Sequence, residues 1–177
     1  MNIGDILYFS PKYRFIELDL DDENNLISAF QDRVEGFYLK PARELKQKEH
    51  AFARGVLCVT AIDFLARIEQ GTDKVRQRFE KWFQSNAKEF TGDDPDNPSQ
   101  LLSRRFYDEF RNGLVHEGRI KNGGQFSYEF EDKLVDVNER IMTVNPSCLL
   151  DEIDGALKRY IDKLKKEKFA FQAFKCV

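Results

Sequence analysis

Arg111, Asn112 and His116 stand in the order Arg-Asn-x-x-x-His, inside the stretch Phe106-Tyr-Asp-Glu-Phe-Arg111-Asn112-Gly-Leu-Val-His116-Glu-Gly118. An imidazole that moves protons and a guanidinium that holds a phosphate can together process an RNA phosphodiester without a metal. On a helical wheel Leu102, Phe106, Phe110 and Leu114 form a buried stripe, and Asp108, Asn112 and His116 line one flank at four-residue spacing. Asn112 is thereby expected to orient His116. Arg111 lies about 140° round the helix from His116 and about 7.5 Å along it. The two converge only if the helix loosens at Gly113 or if two copies of the chain meet. A bland reading stands beside this one: a His near a helix C-terminus suits the helix dipole, and an Arg beside Asp108 makes an ordinary exposed ion pair.

The elements that must carry these residues are legible along the chain. Runs at 6–9 and 13–20, parted by Ser10-Pro11, suggest extended structure over residues 1–22. From Leu26 the repeat of Leu26, Phe30, Val34, Phe37 and Leu45 is helical, and Pro41 is expected to kink or break it. Residues 50–69 are apolar on nearly all sides and predict a central helix stopped by Gly71. Thr72 can cap a further helix bearing Val75, Phe79, Trp82, Phe83 and Phe90. Residues 91–98 read as a loop, with Asn97-Pro98 capping the motif helix from Ser99 to about Glu117 and Gly118 ending it. Residues 120–145 predict a small β-hairpin or meander. Asn145-Pro146 caps a last helix with Leu149, Leu150, Ile153, Leu157, Ile161 and Leu164 on one face, closing in a solvated lysine run at 163–168.

The 177 residues suffice for one domain with a sizeable core, spanning 1–177. No apolar run approaches a membrane span, and the start at Met1 lacks a secretory pattern, so a cytoplasmic setting without membrane contact is expected. Cys58, Cys148 and Cys176 are far apart and only two histidines exist, which leaves no ligand set for zinc; no metal or cofactor is expected, and the thiols read as reduced and mostly buried. A net charge of -3 argues against a general nucleic-acid binder. Residues 104–121 are nonetheless modestly positive through Arg104, Arg105, Arg111, Arg119 and Lys121, which allows a small anionic ligand, with Arg105 and Arg119 as candidate substrate contacts. His50 reads as a surface or capping residue. Asp63, a carboxylate in the apolar central helix, requires a backbone or Arg partner.

With Arg111-Asn112-Gly-Leu-Val-His116 in view, the chain resembles the HEPN superfamily, small helical bundles with an Arg-x(4–6)-His motif and often a polar residue after the Arg. The resemblance covers the helical order from about Leu26 to Lys168. It implies a mostly α, HEPN-like helical bundle of about five helices, with the β element inserted before the last. It also implies a metal-independent endoribonuclease of a defence or toxin system, acting as a homodimer on single-stranded or tRNA-like RNA under a possible antitoxin or regulator. His116 would move protons, Arg111 would hold the scissile phosphate, Asn112 would orient the pair, and the product would carry a 2′,3′-cyclic phosphate. Gly118 stands where one toxin subgroup carries an aromatic two residues after the His, which sets the chain apart from that subgroup. Two other readings remain open: a non-catalytic HEPN-like module that binds a nucleotide, an RNA or a protein or serves only as a dimeric scaffold, and a helical interaction protein in which the motif is coincidental.

Overall fold

The structure, a computed structural model, describes residues 1–45, 47–71 and 74–175. It is mostly helical with small β-sheets, and among the described residues six continuous helices are formed. Strands β1 (Asn2–Ile3) and β2 (Ile6–Leu7) make a short hairpin through Gly4, whose φ of +57° suits a residue without Cβ. Helix α1 (Glu23–Val34) is capped by Asp22, which accepts from the Asn24 and Asn25 amides at 2.9 and 3.1 Å.

Pro41 does not break the helical run that contains it. A π turn, Glu35–Leu39, leads from α1 into α2 (Lys40–Glu44), and the Lys40 amide donates to the carbonyl of Glu35, five residues back. The widened turn comes just before the residue that has no N–H to give, so one helix runs unbroken over residues 23–44.

Helix α3 (Ala51–Gln70) is the centre of the molecule, with Cys58, Val59, Ala61, Ile62, Leu65 and Ala66 buried in the core that α3 shares with α2 and with two later helices, α4 (Val75–Asn86) and α7 (Pro146–Lys166). Gly71 ends α3 at φ +73°, donating to the Arg67 carbonyl. The proposed cap Thr72 lies outside the described residues, as does Cys176; Cys58 and Cys148 are free thiols, Cys58 buried and Cys148 half-buried. His50 stands half-buried at the N-cap position of α3, as the capping reading expected, but its side chain makes no capping hydrogen bond.

Helix α4 and the 3-10 turn Lys88–Thr91 bring Phe79, Trp82, Phe83 and Phe90 into one cluster with Phe106 and Phe110, all of them fully buried. Ring pairs here are close, with Phe83–Phe90 at 4.5 Å and Phe106–Phe110 at 4.6 Å between centroids. Burial stabilises by about 1.5–3 kcal/mol per ring, so this cluster fixes the motif helix in place.

The segment expected as a loop with a helix cap is instead a hairpin. Strand β3 (Asp93–Asp94) pairs with β4 (Asn97–Leu101), and the helix begins at Leu102. Asn97 accepts from the Ser99 amide at 3.3 Å and hydroxyl at 2.6 Å, a turn contact in place of a helix cap. The physical reason is distant in sequence: Asp94 and Asp96 are drawn back to Arg105 at 2.9 and 2.7 Å, which holds residues 93–101 along the helix.

The motif helix has three parts, α5 (Leu102–Phe106), a π turn Tyr107–Arg111 and α6 (Asn112–Glu117), continuous over residues 102–117. After it comes β5 (Gln125–Phe126), and then β6 (Val135–Asn138) and β7 (Ile141–Val144) form the expected hairpin across Glu139 and Arg140, both at positive φ. Strand β5 pairs with β7 in parallel, so the sheet order is β5-β7-β6 and the element is not a meander. Phe126 meets α3 where Gly55 leaves room: a Cβ there would stand 2.2 Å from the ring. Helix α7 starts as expected, with the Asn145 side chain accepting from the Ser147 and Cys148 amides. A further helix, α8 (Lys168–Lys175), succeeds the lysine run, and its Phe174 packs on Phe30 at 5.1 Å. No helix of the described residues is long and apolar enough to cross a membrane.

At the end of α3, burial pushes the Glu69 carboxyl from its ordinary 4.5 up to about 7, with Trp82 and Asn86 pulling the other way. Between those values the unfolded chain has released a proton that the folded chain keeps, so stability falls as pH rises and the loss is complete above about 7. Glu69→Gln is expected to stabilise by roughly 2–3 kcal/mol at pH 8 and hardly at all at pH 4. Urea denaturation at the two pH values checks this, and an equal effect at both would contradict it.

Candidate functional site

Arg111 ends the π turn, and its guanidinium is turned inward against α3. Nη2 donates to Asp63 Oδ2 at 2.9 Å, and the group lies 5.7 Å from the Tyr107 ring centre. The side chain is only 13% exposed. Asp63 Oδ1 also lies 3.7 Å from Arg78 Nη2, so one carboxylate faces two guanidinium groups. The partner that a lone Asp in an apolar helix requires is thus the motif's own arginine.

Asn112 does not orient His116. Its amide nitrogen reaches Asp108 at 3.5 Å, and its oxygen accepts weakly from Arg111 at 3.4 Å. Asn112 keeps the four-residue contact toward Asp108 and is turned away from His116, although both lie in the α-helical segment Asn112–Glu117. His116 is exposed at the end of α6, and among the described residues its side chain makes no hydrogen bond. The helix is not loosened at Gly113; the π turn ends at Arg111, and Asn112–Glu117 is regular α-helix.

Gly113 has a different role. A Cβ there would stand 2.4 Å from the Arg119 carbonyl oxygen. Gly118, at φ +66°, turns the chain back so that the Lys121 amide donates to the Glu109 carbonyl at 3.0 Å. The return places Arg119 and Lys121 beside the end of α6, where both pair with Glu117, at 2.8 and 2.7 Å. Arg119 remains 68% exposed. The hydrogen bond from Lys121 holds the Glu117 carboxyl below its ordinary range.

Arg105 is placed otherwise than expected. It is buried and donates to Glu109, Asp94, Asp96 and the Arg140 carbonyl, so its guanidinium is committed within the fold and does not face a substrate. The cleft beside it, about 580 Å³, is lined by these three carboxylates together with Gln100, Asn122 and Arg140. Arg105, Arg111 and Arg119 lie on or beside the motif helix, yet only Arg111 and Arg119 flank His116. The contacts that sequence reasoning missed are Tyr107 and Arg78; the isolated Asp63 was the signal that an arginine pairs across α3. Comparison with family models, with curated proteins and with solved structures finds no match to this chain.

Proposed function

We propose that the chain is a metal-independent endoribonuclease of HEPN type, acting in a cytoplasmic setting on single-stranded or tRNA-like RNA, with Arg111 and His116 as its reacting pair. The observation that carries the reading is their contrast within one helix: a guanidinium fixed by Asp63 and Tyr107, and an exposed imidazole a little over one turn on. Regular α geometry keeps the two about 140° apart within one chain, so the reading requires two copies, with both motifs around one cleft.

In that cleft one His116 takes the proton of the ribose 2′-hydroxyl, and the 2′-oxygen attacks phosphorus. The bond from phosphorus to the 5′-oxygen breaks as the second His116 protonates the leaving oxygen, giving a 2′,3′-cyclic phosphate and a 5′-hydroxyl. Arg111 of each copy stabilises the charge that builds on the non-bridging oxygens, with Arg119 as an outer phosphate contact.

The test is RNA cleavage in EDTA together with a mixing experiment. When wild type is equilibrated with an equal amount of His116→Ala, activity per wild-type chain is expected to fall to about half, because every mixed dimer lacks one imidazole. Unchanged activity per wild-type chain would mean that each chain works alone and would overturn the shared cleft. A second reading, a non-catalytic module that binds nucleotide or RNA, is favoured by the absence of an orienting partner for His116 among the described residues. It predicts thermal stabilisation by nucleotides without turnover.

A further inference from the structure

On the far side of α1 a cavity of about 390 Å³ opens between the N-terminal segment, α1, α3 and α8. Its walls include Phe9, Leu26, Phe30, Phe64, Ile68 and Phe174. Cationic side chains line it as well: Lys175, which pairs with Asp21 at 3.1 Å, and Arg33. Its guanidinium lies 5.0 Å from the ring centre of Phe9 and 5.6 Å from those of Phe37 and Phe64, and it donates to the Phe9 carbonyl. The neighbouring carboxylate, Asp32, is taken by the Ser10 hydroxyl at 2.7 Å and the Lys12 amide at 2.9 Å. Among the described residues Arg33 has no carboxylate partner. A half-buried cation held by three aromatic faces, with donors left over, lacks the counter-ion that such a group ordinarily takes.

From this we infer that the cavity binds a small amphipathic carboxylate of the medium-chain fatty-acid class. The carboxylate takes a forked pair of hydrogen bonds from Arg33, and the hydrocarbon chain lies along Phe30, Phe64 and Ile68. The volume lies within the range of small-molecule sites, and a mostly apolar lining with one cationic side chain that lacks a carboxylate partner is what such a ligand needs. A neutral lipid would leave the guanidinium unmatched, and a small hydrophilic anion would leave the apolar walls wet. The site is separate from Arg111 and His116 and does not depend on the reading of that pair.

Octanoate and 1-octanol are the probes, titrated into the full chain by calorimetry. Octanoate is expected to bind saturably and at least about tenfold more tightly than octanol, since a charge-assisted hydrogen bond supplies that difference. Arg33→Gln is expected to weaken octanoate about tenfold and to leave octanol unchanged. Leu20→Trp, which fills the mouth of the cavity from a residue 59% exposed, is expected to weaken both probes. Equal binding of octanoate and octanol to wild type, or no saturable binding of octanoate, would overturn the inference. Should Arg33→Gln fail to fold, undiminished octanoate binding by Leu20→Trp overturns it as well.

Discussion

Arg105→Ala is expected to lower the unfolding free energy by about 3–5 kcal/mol, the cost of removing one partner from a buried ion cluster. The side chain is 6% exposed, and it neutralises Asp94 at 2% and Glu109 at 6%, with Asp96 closing the group. Burial acts to raise the Asp94 carboxyl, but hydrogen bonds from Gln100, the Asp96 amide and Arg105 outweigh it and hold the group below its ordinary range. Without the guanidinium those carboxylates must either stay charged in an apolar surrounding or take up protons. The deficit is therefore expected to narrow as pH falls toward the carboxylate range, and urea midpoints along a pH series would show it. A substrate-binding Arg105 predicts the opposite pattern, an unchanged midpoint with weakened RNA binding. Because the same cluster pulls residues 93–101 onto the helix, the hairpin of β3 and β4 is expected to loosen with it.

His116→Ala is expected to leave stability within about 0.5 kcal/mol of wild type, as for other exposed positions free of special contacts. Loss of general acid-base chemistry is expected to slow RNA cleavage by about a hundredfold to ten-thousandfold. The separation of the two effects gives the variant its value. Arg111→Ala is a less clean test, because it also removes one of the two guanidinium groups that face Asp63. A His116→Ala protein that folds as wild type, cleaves nothing and still shifts with nucleotides would agree with both readings, so the comparison turns on whether wild type itself cleaves.

Much of the helical order is legible in the amino-acid sequence. The unbroken apolar surface of α3, the Asn145-Pro146 start of α7 and the glycine stops at 71 and 118 are local signals, and each acts within a turn of where it is written. The misreadings have a common origin in contacts distant in sequence and in turns of irregular width. Asn97-Pro98 carries a good capping pattern, and the pull of Arg105 on Asp94 and Asp96 overrides it. The π turns at 35–39 and 107–111 are invisible to a 3.6-residue period, and the expected link from Asn112 to His116 gave way to the contacts of Asn112 with Asp108 and Arg111. Arg105, Arg111 and Arg119 are equivalent as letters; which is buried depends on which carboxylates the fold brings near. Helix α8 was hidden behind the lysine run, although Phe171 and Phe174 stand at helical spacing.

The proposed function rests on His116 acting on RNA without a metal. The measurement that meets it most directly is the single-turnover rate of cleavage of labelled RNA in excess EDTA, wild type beside His116→Ala. A wild-type rate at least about a hundredfold above the variant, with cyclic phosphate at the new 3′ ends, is what the account predicts; equal rates in the two proteins would contradict it.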